Sequence, residues 1–306
     1  MALFSVKKKP VFFSTTSTFL LEYRHDDYNL IDDNDKIIDL IGRVNLFAEW
    51  DAFAASVRLD GAQLFYRGKD CSTQPSENAT PLSLCGVPYD YRVGQFQLSY
   101  RARHISVTLG HVTGQFARGV SLSIRKVDEV GVDLSLLGGR TQLRFGDHTI
   151  TLLGGVASHN EVDFASLGWI EDPFDLIVAG QYEVSILKKA TLSTHYVFSS
   201  LNQTADANGF ARFHIPGLAL QIPRLGPYLS FALDAALLFK EASAVVEEST
   251  GYAVFAGLTG YFGRMTVLLE FKHYYRFQFG RNDSPKLLYH EPPSLERLDQ
   301  QVPNNS

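Results

Sequence analysis

The chain has 306 residues, a formal charge of -5, and 45% apolar against 20% charged residues. That balance belongs to an ordered chain, and its weak acidity excludes the basic surface that nucleic acid requires. Glycine (24), Tyr (14) and Phe (22) are plentiful while Met and Trp stand at 2 each, which favours strands and tight turns over helices.

No run of about 18 apolar residues offers a membrane-spanning helix. The nearest, 215–239, is interrupted by Pro216, Pro223, Arg224, Pro227 and Asp234. At the start, Lys7, Lys8 and Lys9 precede PVFFSTTSTF, an apolar run too short for the core of an export signal. Residues 1–13 are therefore expected to be a tail. An exported protein would need a signal, so the chain is expected to be incomplete there.

From 14 to 279 the chain alternates with a period of two. Ile38, Leu40, Val44, Leu46, Ala48 and Trp50 are apolar, against Asp39, Arg43, Asn45 and Glu49. After Asp51 the phase switches: Phe53, Ala55, Val57 and Leu59 oppose Ser56, Arg58 and Asp60. This predicts a hairpin with one apolar and one charged face. The pattern recurs around Phe96–Tyr100, Ile105–Leu109, Ile150–Val156, Val178–Ile186, Leu192–Phe198, Leu229–Phe239, Tyr252–Leu258 and Val267–Phe277.

Many of these runs hold about 10 to 13 residues, long enough to cross a bilayer at a tilt. Tight turns are expected near Trp50-Asp51, Arg101–Arg103, Gly146-Asp147, Lys188-Lys189, Arg224–Pro227 and Gly263-Arg264. Long polar connections lie between them, at 25–36, 66–90, 157–175, 200–211 and 241–250. Short turns on one rim and long loops on the other are the habit of outer-membrane barrels. The expected fold is an all-β, antiparallel, up-and-down transmembrane β-barrel with about thirteen strands. The polar, proline-containing stretch 280–306 is expected to be a tail or loop. Single-chain bacterial barrels have even strand numbers and no open edge, so the barrel is expected to be incomplete at this end as well.

Residues 113–138 carry closely spaced charges: Arg118, Arg125, Asp128, Glu129, Asp133 and, just beyond, Arg140. Either 119–126 and 131–138 form a further strand pair, or the whole stretch is one connection folded into the lumen. The bracketing glycines favour the second. There the charges would pair with one another or form a constriction that filters solutes. Asp128 and Glu129 are neighbours that point apart, which argues against paired acid/base work. His104, His148 and His195 are read as lying on polar faces.

Cys71 and Cys85 are the only cysteines and close a short loop. A disulfide is expected, worth roughly 3 kcal/mol by chain entropy. C-x2-C, HExxH, G-x-S-x-G, P-loop and G-x-G-x-x-G patterns are all absent, so no metal, cofactor or catalytic set is expected.

FARGVSLSIRKVDEVGVDLSLLGGRTQLRF is similar to the G-R-G-L…E-L-G-(I/V)-D…L-R-G-G segment of an uncharacterised outer-membrane barrel family of myxobacteria and Bacteroidota. EFKHYYRFQF followed by LLYHEPPSLER resembles that family's strand and P-P-(T/S)-L-E segment. Ala117 stands where the family usually has Gly. The resemblance implies a bacterial outer-membrane location and contact with its lipid. It carries no activity, and it implies a chain that continues beyond both ends.

The resulting expectation is a non-enzymatic outer-membrane barrel, a passive channel for small solutes or a membrane scaffold. The alternatives are a membrane-embedded hydrolase and a soluble β-sandwich binding module.

Overall fold

A strand can be recognised by its own alternation, but which strands pair depends on the turns between them. A computed structural model describes residues 2–6, 9–24, 37–66, 85–86, 90–124, 126–127, 132–133, 135–157, 162–163, 168–169, 175–186, 189–202, 210–241 and 249–277. No helix occurs among them. Thirteen long strands follow in chain order. They are β1 (Lys9–Arg24), β2 (Ile37–Trp50), β3 (Phe53–Tyr66), β4 (Asp90–Arg101), β5 (Ile105–Val112), β6 (Leu136–Phe145) and β7 (His148–Ala157), then β8 (Leu176–Ile186), β9 (Ala190–Asn202), β10 (Phe210–Leu225), β11 (Leu229–Lys240), β12 (Ser249–Phe262) and β13 (Met265–Tyr275). The fold is the expected all-β, antiparallel up-and-down meander, each long strand pairing with the next. The chain divides into two compact units, residues 1–98 with 160–170 and residues 99–159 with 171–306.

In the first unit β1 begins at Lys9, inside the stretch expected to be a tail, and Ala2–Val6 pairs back onto it. The tail expectation followed the lysine cluster. The aromatic and β-branched run after that cluster is what forms the strand. Between β2 and β3, Trp50 pairs with Phe53 around a two-residue turn in which Asp51 has φ +55°. A two-residue turn pairs residues of opposite parity, which is why the alternation changes phase at Asp51. Leu46 thus meets Val57 on the apolar face, and Asn45 meets Arg58 on the polar one.

In the second unit β5 pairs directly with β6, from Ile105–Leu143 to Val112–Leu136. Residues 113–135 are therefore one connection, three residues shorter than the sequence suggests because Leu136–Gly138 belong to β6. Among the described residues the alternative of a further long strand pair is not formed. In its place are two-residue pairings, Gly114–Gln115 with Ser123–Ile124 and Lys126–Val127 with Val132–Asp133. Among the described residues the tight turns stand at the expected positions, with positive φ at Gly146, Gly226 and Gly263, while Lys188 of the turn expected at Lys188-Lys189 lies outside them. Pro223 cannot donate to the ladder, and the register of β10 against β11 shifts between Ile222 and Leu225.

Burial alternates along these strands. On β8 to β11 one face sets Ile177, Ala179, Val197, Phe213, Ile215 and Ala236 into a buried cluster. That cluster is completed by Phe116, Val120, Leu122 and Ile124 of the connection. The opposite face leaves Val178, Leu218 and Leu237 exposed, as are Leu152 of β7 and Leu269 of β13, Leu269 by 60%. Both faces thus carry large apolar side chains, one packed beneath the connection and the other exposed, whereas a water-soluble sheet with one solvated face sets polar residues on that face.

Candidate functional site

The inner face of the second unit is built by a stretch of backbone folded onto it. After β5, Ala117 (φ +46°) and Gly119 (φ +92°) let the chain reverse tightly. The Gly119 amide donates to the Phe116 carbonyl at 2.7 Å, and the Phe116 amide to the Leu122 carbonyl at 3.1 Å. Ala117 occupies a left-handed conformation that favours glycine.

This tight loop is seated on Asp234 of β11. The Arg118 backbone amide donates to Asp234 Oδ2 at 3.0 Å, and the Val120 amide is also directed at that carboxylate. Successive amides around a left-handed turn make a concavity suited to an anion. Asp234 Oδ1 lies 3.9 Å from His195 Nε2, with both side chains fully buried. His195 in turn faces the Phe116 ring, centroids 6.1 Å apart. His195 and Asp234 sit on β9 and β11, two strands apart, and between them Gly217 pairs with His195. A side chain at Gly217 would overlap the His195 ring, so glycine there is what allows the ring to lean toward Asp234. The Asp234 carboxylate, with His195 beside it, is a seat for the connection. One carboxylate oxygen is held by backbone, and the other stands beyond hydrogen-bond range of the ring.

Replacing Asp234 by Ala leaves the Arg118 amide without its acceptor, a loss of about 1–3 kcal/mol for a buried donor. Amide exchange across residues 116–122 should then quicken by about tenfold or more. Asp234→Asn keeps an acceptor oxygen and should keep most of the protection. Unaltered exchange in Asp234→Ala would show that the loop is held by other contacts.

Beside the loop is a polar cavity of about 250 Å³. Gln142, Thr151 and Gln181 lie in one register row across β6, β7 and β8, with Glu183 one row nearer the turns. Gln221 of β10, Gln115 of the loop and Arg140 of β6 complete the polar wall. The side chains are tied to one another: Arg144 Nη2 donates to Gln142 Oε1 at 2.6 Å, and Gln181 Nε2 to Glu183 Oε1 at 3.4 Å.

The predicted charge set is placed as follows. Arg118 is exposed at the loop tip, engaged through its backbone, and Arg140 lines the cavity with Nη1 donating to the Thr113 carbonyl at 3.4 Å. Asp133 pairs by backbone with Lys126, while Arg125, Asp128 and Glu129 lie outside the described residues. The disulfide expectation also falls outside them, since Cys71 is not described. Among the described residues no His, Cys, Asp and Glu cluster has metal-binding geometry. His148 is a correction. It lies on the exposed face, stacked on Phe145 and Tyr182 with Nδ1 2.6 Å from the Tyr182 hydroxyl, because it shares the parity of Ile150 and Leu152.

The first unit holds its own polar cluster. Asp60 Oδ2 accepts from Arg58 Nε at 2.9 Å, and Oδ1 lies 3.8 Å from Arg43 Nε. A side chain at Gly94 would overlap the Asp60 carboxylate.

No protein-family model and no curated protein matches the chain. Among solved structures it is similar to OmpT of Vibrio cholerae as expressed in the outer membrane. The identity is 14%, the match covers 95% of each chain, and the TM-score is 0.45. It is similar also to the in-vitro folded form of that outer membrane protein, at 14% identity over 89% of this chain and 88% of that chain, with a TM-score of 0.43.

Proposed function

We propose that this chain is an integral protein of a bacterial outer membrane, a β-barrel acting as a passive channel narrowed by the connection 113–135. The observation that carries this is the layout of the exposed face in the second unit. Phe145, His148, Tyr228 and Phe262 lie at the tight-turn end, with Tyr228 and Phe262 stacked at 6.4 Å. Phe198, His214, Tyr252, His273 and Tyr275 lie toward the other end. Between the two rows run Leu152, Leu218 and Leu269.

Tyr252 and Phe262 of β12 mark the separation: about ten residues, or ~33 Å along a strand at ~3.3 Å per residue. At a tilt of ~40° that spans about 25 Å of membrane normal, the height of the apolar band of outer-membrane barrels. Tyrosine and histidine rings have an apolar body and a polar tip, which suits the lipid–water boundary. The Tyr252 hydroxyl and His273 Nε2, 2.9 Å apart, satisfy each other there.

As a channel the chain catalyses nothing. The inner face supports solute passage because its polar groups face the loop and the cavity. Val112 and Leu136 are register partners, so a short Gly-Ser linker in place of residues 114–134 can join β5 to β6. In planar bilayers that variant should show a higher single-channel conductance than the parent. Arg140→Gln should shift selectivity toward cations, since it removes a positive charge from the cavity wall. A chain that fails to enter lipid, or a linker variant of unchanged conductance, would refute the channel.

A further inference from the structure

We infer that the cavity beside the loop is a binding subsite for a small, neutral, polyhydroxylated solute of about monosaccharide size. The inference deepens the channel proposal and rests on it for the route by which solute arrives. Its volume of about 250 Å³ corresponds to roughly eight waters at about 30 Å³ each.

Four glutamines converge on this space: Gln115, Gln142, Gln181 and Gln221. A side-chain amide presents a donor and an acceptor side by side, and so does a pair of neighbouring hydroxyls. Amides in several orientations therefore match a ring of hydroxyls, where a purely cationic wall would match an anion. The charges on the wall, Arg140 and Glu183, have opposite sign, so an anion drawn to one is repelled by the other.

Two of the amides are also held in place before any ligand arrives. Gln142 Oε1 takes the 2.6 Å bond from Arg144, and its Nε2 is 3.5 Å from Thr151 Oγ1. Gln181 is tied to Glu183 by a 3.4 Å bond. Side chains fixed in advance lose less freedom on binding than mobile ones. Gln115 comes from the loop itself, so occupancy and loop position are coupled. A solute bridging Gln115 and Gln142 would be held between loop and wall.

The test uses the full chain in detergent, titrated with D-glucose and separately with D-glucuronate, followed by saturation-transfer NMR. Glucose should bind saturably in the millimolar range. Gln142→Leu combined with Gln181→Leu should weaken it about tenfold, the effect of losing two modest hydrogen bonds. If that pair fails to fold, Gln115→Leu on the loop serves in its place and should weaken binding measurably. Binding that does not saturate, or that survives these substitutions unchanged, overturns the subsite. Glucuronate binding more than about tenfold tighter than glucose overturns the neutral class. Single-channel recordings on the same preparation separate the two proposals. A conducting protein that ignores glucose loses the subsite and keeps the channel. A protein that binds glucose without conducting loses the channel and keeps the subsite.

Discussion

Arginine at Leu46 or Leu152 should destabilise the lipid-inserted chain by about 2–4 kcal/mol, the cost of a charge near the bilayer midplane on a lipid-facing strand. Leu46 is 47% exposed and Leu152 53% exposed, each several residues from its tight turn. In water such leucines would be a liability, and arginine would be neutral or helpful. The sign of the effect therefore reports the solvent around that face. Asn45 is the internal control, since it sits next to Leu46 but points to the polar face, 3.3 Å from Thr16 Oγ1. Asn45→Arg should cost less than about 1 kcal/mol, as expected of a surface change away from buried contacts. Urea titrations of refolding into lipid vesicles measure all three. Equal tolerance at Leu46 and Asn45 would remove the assignment of the apolar face to lipid.

Leu122→Ala should cost about 2–5 kcal/mol, the range for a fully buried leucine whose surroundings cannot collapse. Leu122 is 0% exposed and belongs to the cluster that joins the loop to the inner face of β8 to β11. The backbone beneath it is fixed by strand pairing on both sides, so the space left by the side chain cannot close readily. The loss should appear as earlier thermal unfolding and faster exchange of the loop amides. Leu152→Ala is the comparison, since an exposed leucine leaves no internal void and should have a much smaller effect in lipid. A cost below about 1 kcal/mol for Leu122→Ala, with loop exchange unchanged, would show that the loop rests on the sheet without being packed into it.

The two substitutions read different parts of the molecule, and the sequence discloses those parts unequally. The alternation of Leu46, Val57 and Leu152 with polar neighbours is visible residue by residue, because a strand turns each successive side chain to the opposite face. Leu122 and Val120 give no such signal. They lie in a connection without period, and only its return onto β8 to β11 buries them. The lysines ahead of the N-terminal strand mask its start, and His148 is polar by type but shares the parity of Ile150, which puts it on the apolar face.

Face, strand length and turn position are thus determined by the sequence itself. Each depends on local chemistry: side-chain alternation along a strand, and short turns at Asp51, Gly146 and Gly263 where φ is positive. The functional inner surface is decided by the tertiary structure alone. His195 meets Asp234 because strand register sets Gly217 between them, and glycine leaves the ring room to lean across. Gln142, Thr151 and Gln181 form one wall because successive hairpins bring three distant positions into a single row. Alternation gives each residue a face but not a height along the strand. Height follows from the accumulated registers of neighbouring hairpins, which no single stretch of sequence contains.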